Sequence, residues 1–274
     1  MNLTDKLKEF LPKKFLALAS YIKSIIRYIY FSCYRLIKNP DPYFLAIGES
    51  TEYYPSPYWT LVDIKDSDIN VDFENINYKL NKNLKYIYSS HCIEHLSDKA
   101  INYLFKEISS NMGENSVFRL ETPDVEKIIK DYKLKKNHEY LEKIQSENFE
   151  NLVIKRKMKS IYGELHIAML GLISCYVDQM HIPVLCSKEV FDEKLNDLTI
   201  DEFCNWAISL QSEEEKLTHG HINFWYFEKL QKYLLNAGFT KVLRCKTNQS
   251  FYNFDLSLER KHRRKYSLIV EAIK

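Results

Sequence analysis

Glycine is scarce in this chain, with only six copies in 274 residues. Glycine enters left-handed backbone conformations without strain, so each copy marks a turn worth examining. The sequence contains no Gly-x-Ser-x-Gly elbow, no Gly-Lys-Ser phosphate loop and no Gly-x-Gly-x-x-Gly fingerprint. Triad hydrolases, nucleoside triphosphatases and nicotinamide dinucleotide binders therefore have no support from the sequence.

Paired cysteines and a strong charge of one sign are also missing. No two cysteines have the Cys-x-x-Cys spacing of a zinc or redox site, so we expect buried reduced thiols and no metal. The six cysteines are Cys33, Cys92, Cys175, Cys186, Cys204 and Cys245. The formal net charge is only +2. Because nucleic-acid binders present clustered positive charge, a dedicated nucleic-acid partner is not expected.

The N-terminal region lacks an uninterrupted apolar run. Residues 1–40 repeat apolar side chains at helical spacing, but Lys23, Arg27 and Arg35 interrupt them, which argues against a bilayer span. We predict a helical arm docked on the core; the alternative is a basic interfacial helix with peripheral membrane contact through residues 13–38. No small-residue cleavage site follows, so a cytoplasmic location is expected.

The chain changes character after the Asn39-Pro40-Asp41-Pro42 break. Short apolar segments bounded by turn residues predict six strands: Tyr43–Ile47, Trp59–Ile64, Leu84–Tyr88, Val117–Leu120, Thr240–Cys245 and Ser267–Ile273. Alternation with helices predicts an α/β fold whose sheet is mostly parallel, with an antiparallel last strand and helices on both faces. Residues 41–124 and 220–274 form the predicted core, and residues 125–219 a helical insertion or cap over its crevice.

Capping residues predict where several helices begin and end. Ser97 is expected to cap one helix, Thr122 followed by Pro123 to start another, and Thr199 with Glu202 to form a capping box. Gly238 follows a predicted helix over Trp225–Asn236, as glycine commonly does at helix ends.

Polar residues follow the predicted strands. In open α/β sheets ligands bind beyond the carboxyl ends of the strands, where the strand order reverses. Gly48 ends the first strand, Asp63 lies at the end of the second, and His91 follows the third. A carboxylate such as Asp63 can accept hydrogen bonds from both ribose hydroxyls of a nucleoside.

Two segments carry a family resemblance: Tyr88-Ser89-Ser90-His91-Cys92-Ile93-Glu94-His95-Leu96, and Arg119-Leu120-Glu121-Thr122-Pro123-Asp124. With Leu235-Asn236-Ala237-Gly238-Phe239 they resemble the class I S-adenosylmethionine-dependent methyltransferases, especially the bacterial type 11 group. The resemblance implies a Rossmann-like methyltransferase sheet and S-adenosylmethionine as cofactor. It does not cover the arm or the insertion.

The resemblance also implies roles for individual residues. Gly48 would let the backbone approach the methionine part of the cofactor, Asp63 would hold the ribose, and Asp72 would lie near the adenine. The remaining implied cofactor-binding residues are Glu49, Ser50, Ile64, Ser90 and His91. The glycine loop departs from the family pattern, since Ala46, Ser50 and Glu52 stand where the family usually has an acidic residue and two glycines.

A competing motif spans His91 to His95, which fits the His-x-x-Glu-His pattern of inverted zinc peptidases. Those enzymes carry both histidines one turn apart on a helix, whereas His91 directly follows a predicted strand. We therefore do not expect zinc hydrolysis.

Histidines in and beside the insertion are candidates for proton transfer. His166, His181, His219 and His221 lie there, and His221 is the preferred general base because a histidine titrating near neutrality could deprotonate a methyl acceptor. His95, Asp124 and His166 are the expected substrate residues. The predicted function is methyl transfer to a small-molecule or glycan acceptor; the alternative is a non-catalytic methyltransferase-like scaffold.

Overall fold

The computed structural model describes residues 41–48, 59–134, 165–174, 186–218, 220–254, 256, 259 and 265–274. The predicted arm, the cofactor residues Glu49 and Ser50, and the histidines His181 and His219 lie outside these residues.

The sheet has seven strands in the order β3-β2-β1-β4-β5-β7-β6. β7 runs antiparallel to both of its neighbours, and the other pairings are parallel. This is the Rossmann-like methyltransferase sheet with an antiparallel last strand, as predicted. The strands are β1 Asp41–Ile47, β2 Trp59–Asp63, β3 Ile69–Asn70, β4 Leu84–Ser90, β5 Met112–Pro123, β6 Lys241–Cys245 and β7 Ser267–Ile273. β3 was not predicted from the sequence, because two residues are too few to show a strand periodicity.

The described helices are α1 Asp98–Asn111, α2 Val125–Lys133, α3 Leu165–Ser174, α4 Lys188–Asp197, α5 Ile200–Ser209, α6 Glu213–Thr218 and α7 Phe227–Asn236, with a 3-10 turn at Ile93–His95. Ser97 caps α1 and Thr199 forms the capping box with Glu202, as predicted. Gly238 follows α7 with φ of +99°. Among the described helices, none has the length and apolar character that a bilayer crossing requires.

The predicted helix start at Thr122 and Pro123 is wrong. Both residues belong to β5, where they pair with Leu268 and Ser267 of β7. The long antiparallel ladder with β7 extends the strand through the proline, and Asp124 caps α2 by accepting a hydrogen bond from the Lys127 N–H. The start of β7, about 145 residues further along the chain, was therefore needed to place this boundary.

The two faces of the sheet are covered differently. One face packs against α1 and α7 around a large apolar core that includes Ile87 and Phe105. On the other face Tyr88 and Val117 pack with Phe254, which lies in the segment after β6. Within the described part of the chain, the second face therefore has no helix of the kind that the sequence predicted there.

Helices α2 to α5 share a second apolar core, which we call the helical cluster. Its buried residues include Ile128 of α2, Ile173 of α3, Phe191 of α4 and Phe203 of α5. The cluster contacts the carboxyl edge of the sheet, because the His221 N–H donates to the Ser174 carbonyl at 2.8 Å and the Ile222 N–H donates to the Glu94 carbonyl at 2.9 Å. These bonds fix the end of α3 against the turn that follows β4.

Candidate functional site at the carboxyl edge of the sheet

The ends of β1, β2 and β4 lie side by side. Ile47 is opposite Val62 on one side and Ser89 on the other. Gly48, Asp63 and Ser90 are the next residues of these strands, and the Gly48 N–H donates to the Val62 carbonyl at 2.8 Å. The structure thus brings Gly48, Asp63 and the His91 backbone to one edge, at the point where the strand order reverses.

Gly48 adopts a conformation that other residues avoid, with φ of +73°. A Cβ placed on Gly48 would lie 2.5 Å from Cys92 Cβ and 2.6 Å from Cys92 Sγ. Such distances are far below van der Waals contact, so the glycine is required for the close packing of the turn after β4. From the sequence, Gly48 was assigned to the cofactor, and its contact with Cys92 was not predicted.

Asp63 ends β2 with a half-buried carboxylate. Burial raises its pKa above the usual range, although a hydrogen bond from the Ile64 N–H and the charge of Lys65 act in the opposite direction. Asp63 Oδ1 accepts the Ile64 N–H at 2.7 Å. The Ile64 side chain is 60% exposed, so an open apolar surface lies directly beside the carboxylate. Asp72 is exposed, and its Oδ1 accepts the Glu74 N–H at 3.0 Å.

His91 does not turn toward an open crevice. Its backbone is left-handed, with φ of +53°, and its N–H donates to the Glu121 carbonyl. The ring contacts Ser267 Oγ through Nε2 at 2.8 Å and Glu94 Oε1 through Nδ1 at 3.2 Å. With both ring nitrogens engaged inside the protein, His91 joins β4 to β7; the expectation that it lines the cofactor's open side needs correction. Ser90, beside it, is buried.

Glu94 is the buried centre of the turn, with only 1% of its surface exposed. Its Oε2 accepts the Thr122 hydroxyl at 3.1 Å, and its carbonyl accepts the N–H groups of Ile222 and Asn223. Burial acts to raise the pKa of Glu94, but the interaction with the adjacent His91 ring, with further contributions from His221 and His95, outweighs it and lowers the pKa to about 2. Glu94 is therefore an ionised carboxylate at neutral pH.

His95 and His221 meet beside Glu94, with ring centroids 4.8 Å apart. His95 Nδ1 lies 3.0 Å from the Gly220 carbonyl oxygen, and His221 Nδ1 lies 3.0 Å from that of Ile173. Burial, followed by the charge of His95, lowers the pKa of His221 to about 3. The expectation of a general base that titrates near neutrality at His221 therefore does not hold, because so low a pKa makes a weak base.

Two of the expected substrate residues have side chains that are buried and make contacts within the protein. Asp124 is buried, caps α2, and accepts a hydrogen bond from Arg244 at 2.5 Å. His166 is buried in the helical cluster, its ring centroid 5.4 Å from that of Phe191. It lies about 10 Å along α3 from Ile173, which contacts His221. A structural role replaces the substrate role expected for each.

Several residues that shape the edge were not found from the sequence. Thr122 and Ser267 hold Glu94 and His91, and the Gly220 carbonyl holds His95. Ser267 and His91 are 176 positions apart, and no local pattern links such distant positions. The sequence did indicate Gly220, since glycine is rare in this chain and this one lies directly before His221.

No protein-family model and no curated protein matches the chain. Solved structures with some likeness include the S-adenosylmethionine-dependent methyltransferase SibL in its apo form, at 6% identity and a TM-score of 0.37, over 92% of this chain and 55% of that one. Human N-acetylserotonin methyltransferase in complex with S-adenosylmethionine has 10% identity and a TM-score of 0.37, over 85% and 48%. A methyltransferase from Archaeoglobus fulgidus has 13% identity and a TM-score of 0.36, over 96% and 100%.

The chain spans about half the length of the first two of these structures. At so low a similarity, the fold is established by the strand order of the sheet itself.

Proposed function

We propose that this protein is an S-adenosylmethionine-dependent methyltransferase that acts on a small-molecule or glycan acceptor. The observation that carries the proposal is the Asp63 carboxylate at the end of β2, next to the strand-order reversal between β1 and β4. This is the place where open α/β sheets bind nucleotides and nucleosides. The exposed Ile64 beside it offers an apolar surface to an adenine ring.

The chemistry of Asp63 supports a nucleoside ligand. A carboxylate has room for about four hydrogen bonds, and within the described ranges the hydrogen bond to the Asp63 carboxylate comes from the Ile64 N–H. Burial, with a smaller contribution from the charge of Asp66, raises its pKa. Two ribose hydroxyls would supply further donors. Their hydrogen bonds would stabilise this half-buried carboxylate more than they would stabilise a fully exposed one.

Methyl transfer needs little from protein side chains. The sulfonium of the cofactor is already an activated methyl donor, so the protein mainly has to bind both reactants and align them. This is compatible with the low pKa of His221, since alignment without a near-neutral base at that position can supply the catalysis. The helical cluster, held against the sheet edge through Ser174 and Glu94, is proposed to enclose the acceptor.

The first test is Asp63→Asn. We expect the dissociation constant for S-adenosylmethionine to rise at least about tenfold, or about 1.4 kcal/mol, because the amide has one acceptor oxygen where the carboxylate has two. Isothermal titration calorimetry with S-adenosylmethionine and S-adenosylhomocysteine measures the change. The matched control is Asp197→Asn, which makes the same charge change at an exposed position at the end of α4 and is expected to leave cofactor binding unchanged. A folded wild-type protein that binds neither ligand at millimolar concentration would remove the proposal.

A second candidate is a non-catalytic methyltransferase-like scaffold. The packing of Cys92 against Gly48 favours it, because the space that a glycine leaves for a ligand is here used by a protein side chain. On this view neither cofactor binds, and Asp63→Asn changes nothing in the calorimetry. The small net charge supports a partner other than nucleic acid. A cytoplasmic location and a membrane contact through residues 13–38 are further predictions from the sequence.

A further inference from the structure

Glu94, His95 and His221 form a compact group that the proposed methyl transfer does not use. One potential ligand atom from each residue lies within 4.8 Å of those of the other two. Glu94 and His95 come from the 3-10 turn after β4, and His221 comes from the segment that leads to α7. The group therefore spans the junction between the sheet and the helical cluster.

The hydrogen bonds of the two histidines fix their tautomers. Nδ1 of each ring faces a backbone carbonyl oxygen at 3.0 Å. A carbonyl can only accept, so Nδ1 of each ring carries a hydrogen, and in the neutral ring the lone pair that can bind a metal is then on Nε2. Histidines that bind metals typically donate their other N–H to a carbonyl in this way.

Glu94 places a buried carboxylate next to these two rings. Its Oε2 accepts the Thr122 hydroxyl. Its Oε1 is buried and has no hydrogen bond of good geometry from the described residues; the closest basic group is His91 Nδ1, at 3.2 Å. This buried oxygen therefore has room to accept a further ligand.

We propose that Glu94, His95 and His221 bind a divalent transition-metal ion of the zinc class, through the Glu94 carboxylate and the Nε2 atoms of both histidines. Two imidazoles and a carboxylate are a donor set that zinc prefers, with water as the fourth ligand. Binding draws the three ligand atoms to within about 3.5 Å of one another, because each lies about 2 Å from the ion.

This site differs from the His-x-x-Glu-His pattern in the sequence. His91 contacts Ser267 and Glu94, and the distant His221 joins Glu94 and His95 in its place. Sequence spacing could not reveal the group, because His221 lies far along the chain from the other two residues. The bound ion joins the turn after β4 to the segment before α7, and so positions the helical cluster over the edge of the sheet.

The test starts from the full chain after treatment with a chelator. Zinc and cobalt are titrated into it separately, with bound metal measured by mass spectrometry and cobalt also by its visible spectrum. We expect one ion per chain, a cobalt spectrum without sulfur charge-transfer bands, and a melting temperature that rises with zinc concentration because the ion binds the folded state.

The diagnostic variants are His95→Asn and His221→Asn. An asparagine amide can still donate to the backbone carbonyl in place of Nδ1, but it lacks the Nε2 ligand. We expect each variant to bind zinc at least about tenfold more weakly. His166→Asn replaces another buried histidine, one outside the group, and is expected to bind zinc as tightly as the wild type.

The proposal fails if the wild type binds zinc no more tightly than the double variant His95→Asn/His221→Asn. X-ray absorption of the zinc-loaded wild type decides the matter if the variants do not fold. A first shell of nitrogen and oxygen with imidazole scattering is expected, and a sulfur shell would place the ion on cysteines instead. The site does not depend on the methyltransferase proposal, since calorimetry with S-adenosylmethionine tests that proposal on metal-free and zinc-loaded protein alike.

Discussion

Replacing Arg119 with methionine is expected to lower the free energy of unfolding by about 3–5 kcal/mol, the usual cost of removing one partner from a buried ion pair. Arg119 lies in β5 opposite Glu271 of β7, to which its Nη1 donates at 2.7 Å, and its Nη2 donates to Glu259. All three side chains are fully buried. Methionine fills much of the volume but leaves two carboxylates without their cation. Urea unfolding followed by circular dichroism measures the change.

Lys188→Met is the matched control for this prediction. It also removes one positive charge, but from an exposed pair with Asp192 one helical turn away. Such pairs contribute about 0.3–0.5 kcal/mol. Glu259→Gln and Glu271→Gln, added together to Arg119→Met, should recover much of the loss, because neutral amides no longer need the guanidinium. If Arg119→Met costs no more than Lys188→Met, the buried ion group does not stabilise the sheet.

Gly48→Ala is expected to cost about 2–5 kcal/mol of unfolding free energy. Left-handed backbone at a residue with a Cβ costs about 1–2 kcal/mol, and overpacking typically costs about 1–3 kcal/mol. Both terms apply, since φ is +73° and the new Cβ would lie 2.5 Å from Cys92 Cβ. The same urea experiment measures the loss.

A double-mutant cycle with Cys92→Gly separates the two causes. Removing the Cys92 side chain relieves the collision but leaves the backbone strain, so the double variant should recover about 1–3 kcal/mol relative to the sum of the single changes. No coupling between the two positions would mean that the turn after β4 does not press on Gly48. Calorimetry with S-adenosylmethionine on Cys92→Gly also shows whether the Cys92 side chain hinders the cofactor.

The segments whose signals are local were predictable from the sequence. Short apolar runs bounded by turn residues marked six of the seven strands, and the Ser97 and Thr199 caps placed two helix starts. Placing Gly48 and Asp63 at one edge also followed from sequence, because the carboxyl ends of neighbouring parallel strands meet there.

Properties that depend on distant contacts were not predictable. β5 ends at Pro123 and not at the predicted Leu120, because β7 pairs with it as far as Pro123. His91 was expected at the open side of the crevice, yet its partners are Ser267 and Glu94. His221 was expected to titrate near neutrality, and burial instead lowers its pKa to about 3.

The sequence by itself determined the α/β class, the antiparallel last strand and the edge at which a ligand is expected, since periodicity and turn chemistry act over a few residues. The tertiary structure alone decided which polar side chains are free for a ligand. Hydrogen-bond partners and burial set that availability, and for His91, Asp124 and His221 these come from segments far away in the chain.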